Sequence, residues 1–262
     1  MKIFSRMKDL GFFLLALSMA GCAAQSNGGY GGTPQHTISR QEARAKIHTE
    51  LAAQYYDRGQ FGVALEEVSL ALQSKSDYAP AYNVRGLVRM ALYEDQQADE
   101  DFQHSLRLDS IDSEAHNNYG WFLCKRGKEL DSIKHFMAAL KNPLYATPGK
   151  AYLNAGLCSM KAGNIKDAEE FLQKALTIQP NMPEALLGLS NLYFTKADYA
   201  GAKSYFLIFK RNNPSPLTAE NLWLAVRIER KLGDRTTENG YAIQLHKNFP
   251  DARETQLMLY RQ

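Results

Sequence analysis

Residues 113–146 read SEAHNNYGWFLCKRGKELDSIKHFMAALKNPLYA. Small residues stand at the eighth and twentieth places, Gly120 and Ser132, and Phe136 and Ala139 follow Ser132 by four and seven residues. The same arrangement returns along the chain. Ser132 falls in register with Ala64, Ala98, Ala168, Ala202 and Thr236, at successive spacings of 34, 34, 36, 34 and 34 residues. Twelve residues before each stand Ala52, Gly86, Gly120, Gly156, Ser190 and Leu224. Four residues after each stand Val68, Phe102, Phe136, Leu172, Phe206 and Gly240, and seven after stand Ala71, Ser105, Ala139, Ala175, Phe209 and Ile243. Pro180, Pro214 and Pro250 punctuate later units. Two antiparallel helices meeting at small residues explain the pattern: a larger side chain there would hold the backbones apart, while the apolar places fill the seam to the next unit. An internal repeat of this length has to be recognised before any other reading of the fold.

A 34-residue helix-turn-helix with these places resembles the tetratricopeptide repeat. The expected architecture is all-α, a right-handed superhelical solenoid of six such repeats at about 45–78, 79–112, 113–146, 149–182, 183–216 and 217–250. Thr147-Pro148 is a two-residue insertion between the third and fourth units. The sixth reads as degenerate, because Leu224 is large and Gly240 lacks an apolar side chain. Residues 251–262 are expected to form a capping helix over the exposed end. Ser39-Arg40-Gln41-Glu42 matches a capping box, so the solenoid is expected to begin at residue 39.

In such a superhelix the first helix of each unit lines the inner face, with places two, five, nine and twelve turned inward. Those places predict a groove that includes Ala53, Tyr56, Asn83, Leu87, Met90, Asn117, Trp121, Leu153 and Leu157. Apolar pockets accept side chains of a partner, amides satisfy its backbone, and Trp, Tyr and Met are residue types that carry binding energy. For Leu87, Met90, Trp121 or Leu157 taken singly, packing between neighbouring first helices explains the residue equally well. Chaperone-binding tetratricopeptide domains grip a carboxylate with Lys, Arg and Asn; Thr49 and Ala53 occupy the matching first-unit places here, which disfavours an acidic ligand.

Cys124 and Cys158 are one repeat apart, on first helices of consecutive units. Packed helices lie about 8–10 Å apart, which brings facing cysteines within bridging reach. A disulfide is expected, with a pair of buried thiols as the alternative. Chemistry of other kinds is sparse. His36, His48, His104, His116, His135 and His246 show no metal-ligand spacing, although His104, His116 and His135 lie in adjacent units and could approach in space. Phosphate loops, nucleophile elbows and zinc motifs are not found. The expectation is a binding scaffold without enzymatic activity, cofactor, metal or small-molecule substrate.

The N-terminal segment carries a separate message. Lys2, Arg6 and Lys8 precede an apolar run from Leu10 to Ala20, and Gly21 and Cys22 follow. A basic start, a short apolar stretch and small residues before a cleavage point describe a secretory signal. The run falls short of the roughly 20 apolar residues of a membrane-spanning helix. An Ala-Gly-Cys ending resembles bacterial lipoprotein signals, with Met19 where Leu is usual. That resemblance implies removal of residues 1–21 and acylation of Cys22, whose acyl chains would anchor the protein to a membrane. Ala23, rather than Asp, follows the Cys, which by the same resemblance implies an outer-membrane destination facing the periplasm. Residues 22–38 read as a Gly-rich polar tether with a typical end-to-end distance on the order of 20–25 Å. The full chain carries a formal charge of +3, and residues 1–21 hold a net +2 of it, so the remainder is near neutral. Nucleic-acid binding, which calls for a basic stripe, is not expected.

The runs Asn117-Asn118-Tyr119-Gly120-Trp121-Phe122-Leu123-Cys124 and Tyr152-Leu153-Asn154-Ala155-Gly156-Leu157-Cys158 resemble the third and fourth units of the type IV pilus biogenesis lipoproteins, the PilF/PilW pilotin family. With the Cys22 signal, the tether and six repeats, the resemblance spans the chain after the signal. It implies a partner, the secretin subunit of the type IV pilus system, which pilotins bind and help to localise and multimerise in the outer membrane. It also implies that the apolar surface of the first units, here Ala53, Tyr56, Leu87, Met90 and Trp121, holds that subunit. The rival expectation is a periplasm-facing scaffold for cell-wall or cell-division proteins.

Overall fold

The computed structural model describes residues 39–260, and all regular structure among them is α-helical. Six antiparallel pairs follow one another: α1 (Arg40–Asp57) with α2 (Phe61–Ser74), α3 (Ala79–Ala91) with α4 (Asp95–Leu108), α5 (Ser113–Lys125) with α6 (Glu129–Ala139), α7 (Pro148–Lys161) with α8 (Ile165–Ile178), α9 (Pro183–Thr195) with α10 (Tyr199–Asn212), and α11 (Ala219–Leu232) with α12 (Arg235–Asn248). A final helix, α13 (Arg253–Tyr260), lies against α11 and α12 and buries Thr255 and Met258 there. No described helix is long and apolar enough to cross a membrane.

Local chemistry sets the helix limits. Ser39 Oγ accepts the Glu42 amide at 3.1 Å, and Asp112 accepts those of Glu114 and Ala115 at 2.9 and 3.1 Å. Pro80, Pro148 and Pro183 sit in the first turn of α3, α7 and α9, where a missing amide hydrogen costs nothing. First helices end on a left-handed residue, which is glycine at Gly59, Gly127, Gly163 and Gly233.

Packing shows why the eighth place is small. A Cβ on Gly86 would meet the Phe102 ring at 2.9 Å, one on Gly120 the Phe136 ring at 2.8 Å, and one on Gly156 the Leu172 side chain at 2.7 Å. Within each pair the first helix therefore presents bare backbone to the bulky residue of the second. The first helices α1, α3, α5, α7 and α9 form a continuous row, each touching the next. Between α3 and α4 a buried carboxylate reinforces the pair: Asp101 accepts from Arg85 Nε and Nη2 at 2.9 and 2.6 Å and from Arg89 Nη1 at 2.8 Å.

The sixth unit corrects the expected register. The link from α10 to α11, Asn213–Thr218, has six residues, against four in Lys75–Tyr78, Asp109–Asp112 and Gln179–Met182. The following helices are thereby displaced by two residues relative to the fifth unit. Val226, fully buried, takes the eighth place assigned to Leu224, and Glu238 takes the place assigned to Thr236. Gly240 is exposed and fills no packing role, with no atom within 4 Å of where its Cβ would stand. In the corrected frame the unit still departs from the others, with Val226 at the small eighth place, Ala242 where other units carry a bulky residue, and Glu238, a buried carboxylate held by Arg230 Nε at 2.6 Å and Arg235 Nη1 at 3.1 Å, where they place Ala or Ser.

Candidate functional site

The row of first helices encloses a groove of about 550 Å³. Ala53, Tyr56 and Asp57 come from α1, Asn83, Val84 and Leu87 from α3, and Glu114, Asn118 and Trp121 from α5; Lys150, Leu153, Asn154 and Glu184 complete it from α7 and α9. The lining crosses the wall obliquely, from the C-terminal end of α1 to the N-terminal end of α9. Of the nine residues expected from sequence, Ala53, Tyr56, Asn83, Leu87, Trp121 and Leu153 are brought together here.

The other three lie elsewhere. Met90 packs on the cluster of Phe102, Tyr119, Phe122 and Leu123. Leu157 fills the seam between α7 and α9, where its Cδ2 would stand 3.3 Å from a Cβ on Gly188. Asn117 is fully buried. Its displacement from the groove has a physical cause. Asn154 Nδ2 donates to Asn117 Oδ1 at 3.0 Å, Asn117 Nδ2 to Asn118 Oδ1 at 3.5 Å, and Asn118 Nδ2 to Asn83 Oδ1 at 3.3 Å. The four amides form a ladder across α3, α5 and α7, so they satisfy one another instead of standing free for a partner's backbone. Their residue type was legible; their mutual pairing depends on the register of three helices and was not.

Cys124 and Cys158 form a disulfide between α5 and α7, with Cα atoms 5.9 Å apart. Phe136 and Ala155 bury it, and Trp121 packs on the same cluster. Ser132 Oγ lies 2.8 Å from Cys158 Sγ, and Lys161 Nζ donates to the Cys124 carbonyl at 2.6 Å. The groove floor at Trp121 is thus backed by a covalent link. Lys125 Nζ lies 4.5 Å from the centre of the Trp121 ring.

The charged groups of the lining differ in how they are used. Glu114 accepts from Tyr145 Oη at 3.0 Å, Thr147 Oγ1 at 3.3 Å and Lys150 Nζ at 3.0 Å. Burial raises the Tyr145 hydroxyl above its ordinary range, and the charge of Glu114 adds to this. At the other end, partial burial raises the Tyr56 hydroxyl and the Asp57 carboxylate raises it further.

Comparison with known proteins agrees with the repeat geometry. The tetratricopeptide repeat profile matches residues 159–207. The type IV pilus assembly protein PilF of Pseudomonas aeruginosa is 27% identical over 244 residues, 93% of this chain and 94% of PilF. The crystal structure of PilW, a widely conserved type IV pilus biogenesis factor, is similar at a TM-score of 0.77 and 33% identity, covering 82% of this chain and 98% of that one. The chain belongs to the PilW and PilF family of type IV pilus biogenesis proteins. The structure of Pseudomonas aeruginosa PilF, at 24% identity and a TM-score of 0.77 over 86% of this chain and all of that one, shares the fold.

Within this member of the family, the remaining expected sites fall as follows. Cys22 and the tether lie outside the described residues. His116 and His135 do meet, Nδ1 to Nδ1 at 2.9 Å, whereas the His104 ring lies 4.2 Å from that of Tyr82, tilted by 47°. Among the described residues, no group of three His, Cys, Asp or Glu side chains is placed to hold a metal ion. The buried carboxylates Asp101 and Glu238 were missed in sequence, because a charged helical residue reads as solvated until its arginines are located.

Proposed function

We propose that this type IV pilus biogenesis protein is a pilotin: an outer-membrane lipoprotein, acylated at Cys22 and facing the periplasm, that holds a secretin subunit in its inner groove and promotes its localisation and multimerisation. The observation that carries the reading is the groove itself. Tyr56, Leu87, Trp121 and Leu153 from four successive first helices share one concavity, as a clamp for a single polypeptide segment requires. Its length favours a segment over a small molecule, and the disulfide behind Trp121 keeps the floor in place. Membership of the pilus family and the lipoprotein-like signal before Cys22 support the choice of partner and membrane.

The test is the state of the secretin in cells. In a deletion strain, secretin should run as monomer in mild detergent gels and pili should be lost. Wild-type chain restores the rings, Leu87→Asp restores them poorly, and Cys22→Ala leaves residual secretin outside the outer membrane. Secretin rings that survive the deletion, together with misshapen cells, would support the cell-wall scaffold instead and end the pilotin reading.

A further inference from the structure

The groove is apolar on its floor and acidic in what it leaves unused. Three carboxylates, Asp57, Glu114 and Glu184, face one ammonium, Lys150. Glu114 and Lys150 neutralise each other. Asp57 and Glu184 have no hydrogen-bond or ion-pair partner among the described residues, and they stand at opposite ends of the groove. Glu184 has a structural explanation, since it lies in the first turn of α9, where the helix dipole favours a carboxylate. Asp57 has the reverse. It is the exposed last residue of α1, whose final turn contains no basic side chain and is followed by Arg58 at the C-cap, so it places a negative charge at the negative end of the helix. The fold gains nothing from that carboxylate. Beside it stands the partly buried Tyr56 ring, whose face offers a cation a second attraction.

We infer that the segment held in this groove is basic as well as apolar: its apolar side chains rest on Leu87, Trp121 and Leu153, a Lys or Arg near one end seats between the Asp57 carboxylate and the Tyr56 ring, and a second cation near the other end pairs with Glu184. The inference rests on the groove being the docking site, and it specifies the chemistry of the occupant. It also explains why the groove lacks the basic residues that would grip an acidic tail. Asp57 and Glu184 are both exposed, so an acidic segment would be repelled by them and a purely apolar one would leave them to water, whereas a basic one gains two ion pairs.

A random 12-residue peptide library displayed on phage and panned against the full chain tests this without prior choice of partner. The expected outcome is enrichment of apolar sequences flanked by Lys or Arg. In a synthetic peptide of the enriched sequence, replacing the Lys or Arg by Gln should weaken binding about fivefold, the scale of a partly exposed ion pair. Asp57→Asn should weaken the parent peptide by the same factor, leave the Gln peptide unchanged, and not lower the thermal midpoint of the protein. Enrichment of apolar peptides without basic residues, or equal binding of the Lys and Gln peptides, overturns the inference while leaving the groove as the docking site. Binding that Leu87→Asp leaves intact, or no enrichment at all, overturns both.

Discussion

The front and rear of the solenoid hold their helices together by different means. Between α3, α5 and α7 the inner seam adds amides and a disulfide to the apolar packing of Met90 on Tyr119, Phe122 and Leu123: Asn83, Asn118, Asn117 and Asn154 in series, then Cys124 bonded to Cys158. Between α9, α10, α11 and α12 the seam is apolar, with Leu186, Phe206, Phe209, Leu222, Trp223, Ile228 and Leu245 in one cluster. The difference follows from what each region must leave open. Large side chains in the front seam would fill the groove; short amides and a covalent bond join neighbouring helices without occupying it. The rear can use bulk. In a stacked array each unit answers chiefly to its neighbours, so the two regions should respond separately to perturbation.

The largest expected effect comes from the disulfide. It closes 34 residues, and the chain-entropy relation assigns such a loop about 4 kcal/mol. Reduction, or the double variant Cys124→Ala/Cys158→Ala, should lower the urea midpoint and raise hydrogen exchange in α5 to α7, while amides of α10 to α12 keep their protection. Uniform loss of protection along the chain would show that front and rear form one cooperative unit and remove the contrast.

The amide ladder comes next. Asn117→Ala removes the acceptor of the Asn154 amide, which is largely buried but lines the groove, so the cost should fall at the lower end of the about 1–3 kcal/mol of an orphaned buried donor. Chemical denaturation of the variant measures it. A neutral result would mean that the ladder keeps the groove open without holding the helices together.

A smaller effect depends on pH. Burial holds the His135 imidazole down at about 4, and the neighbouring His116 adds to this. His116 Nε2 lies 3.1 Å from the Ser110 carbonyl, so it carries the hydrogen and leaves Nδ1 to accept from His135. The unfolded chain takes up a proton near pH 6.5 and the folded chain only near 4. Stability is therefore full above about 6.5 and declines as pH falls through that window. Partial exposure of the ring reduces the loss to on the order of 1 kcal/mol. His135→Gln should flatten the decline between pH 6.5 and 4; an unchanged slope would place the titrating groups elsewhere.

These contrasts were unevenly written in the sequence. The pairing of Gly86 with Phe102, or Gly120 with Phe136, recurs at fixed spacing because every unit solves the same local packing problem. The Cys pair was legible from its placement on the first helices of consecutive units, although the two-residue insertion leaves the cysteines at different places, four residues after Gly120 and two after Gly156. The inner wall was legible where local packing still leaves a side chain on the groove, as at Tyr56, which also meets Phe61, and Leu153, which also rests on the cluster of Leu172 and Leu189. It was misread at Asn117 and Leu157, where a neighbouring helix takes up the side chain, and at Val226, where a longer link moves the frame by two. Side-chain pairing across units depends on helix rotation and linker length, and neither leaves a periodic trace.

The smallest effect concerns two positions that break the repeat on opposite sides of the contrast. The first helix of four units ends on a left-handed glycine, but the second ends on Tyr93 at φ 62° and the fifth on Ala197 at φ 61°. A Cβ in that conformation crowds the following carbonyl. Glycine would remove the strain, at the expense of a freer unfolded chain. Tyr93 is 83% exposed, and its one ring contact is with the Arg126 guanidinium, 6.0 Å from the centroid. Since Arg126 is already paired with Asp95 through two nitrogens, little packing is lost with the ring. Tyr93→Gly should therefore stabilise the front by about 0.5–1 kcal/mol, and Ala197→Gly the rear by a similar amount. If the regions are independent, each substitution slows hydrogen exchange only in its own helices, α3 and α4 or α9 and α10. A Tyr93→Gly variant that loses stability would mean that the ring over Arg126 outweighs the backbone strain, and that the exposed edge of the second unit is itself part of what holds the front together.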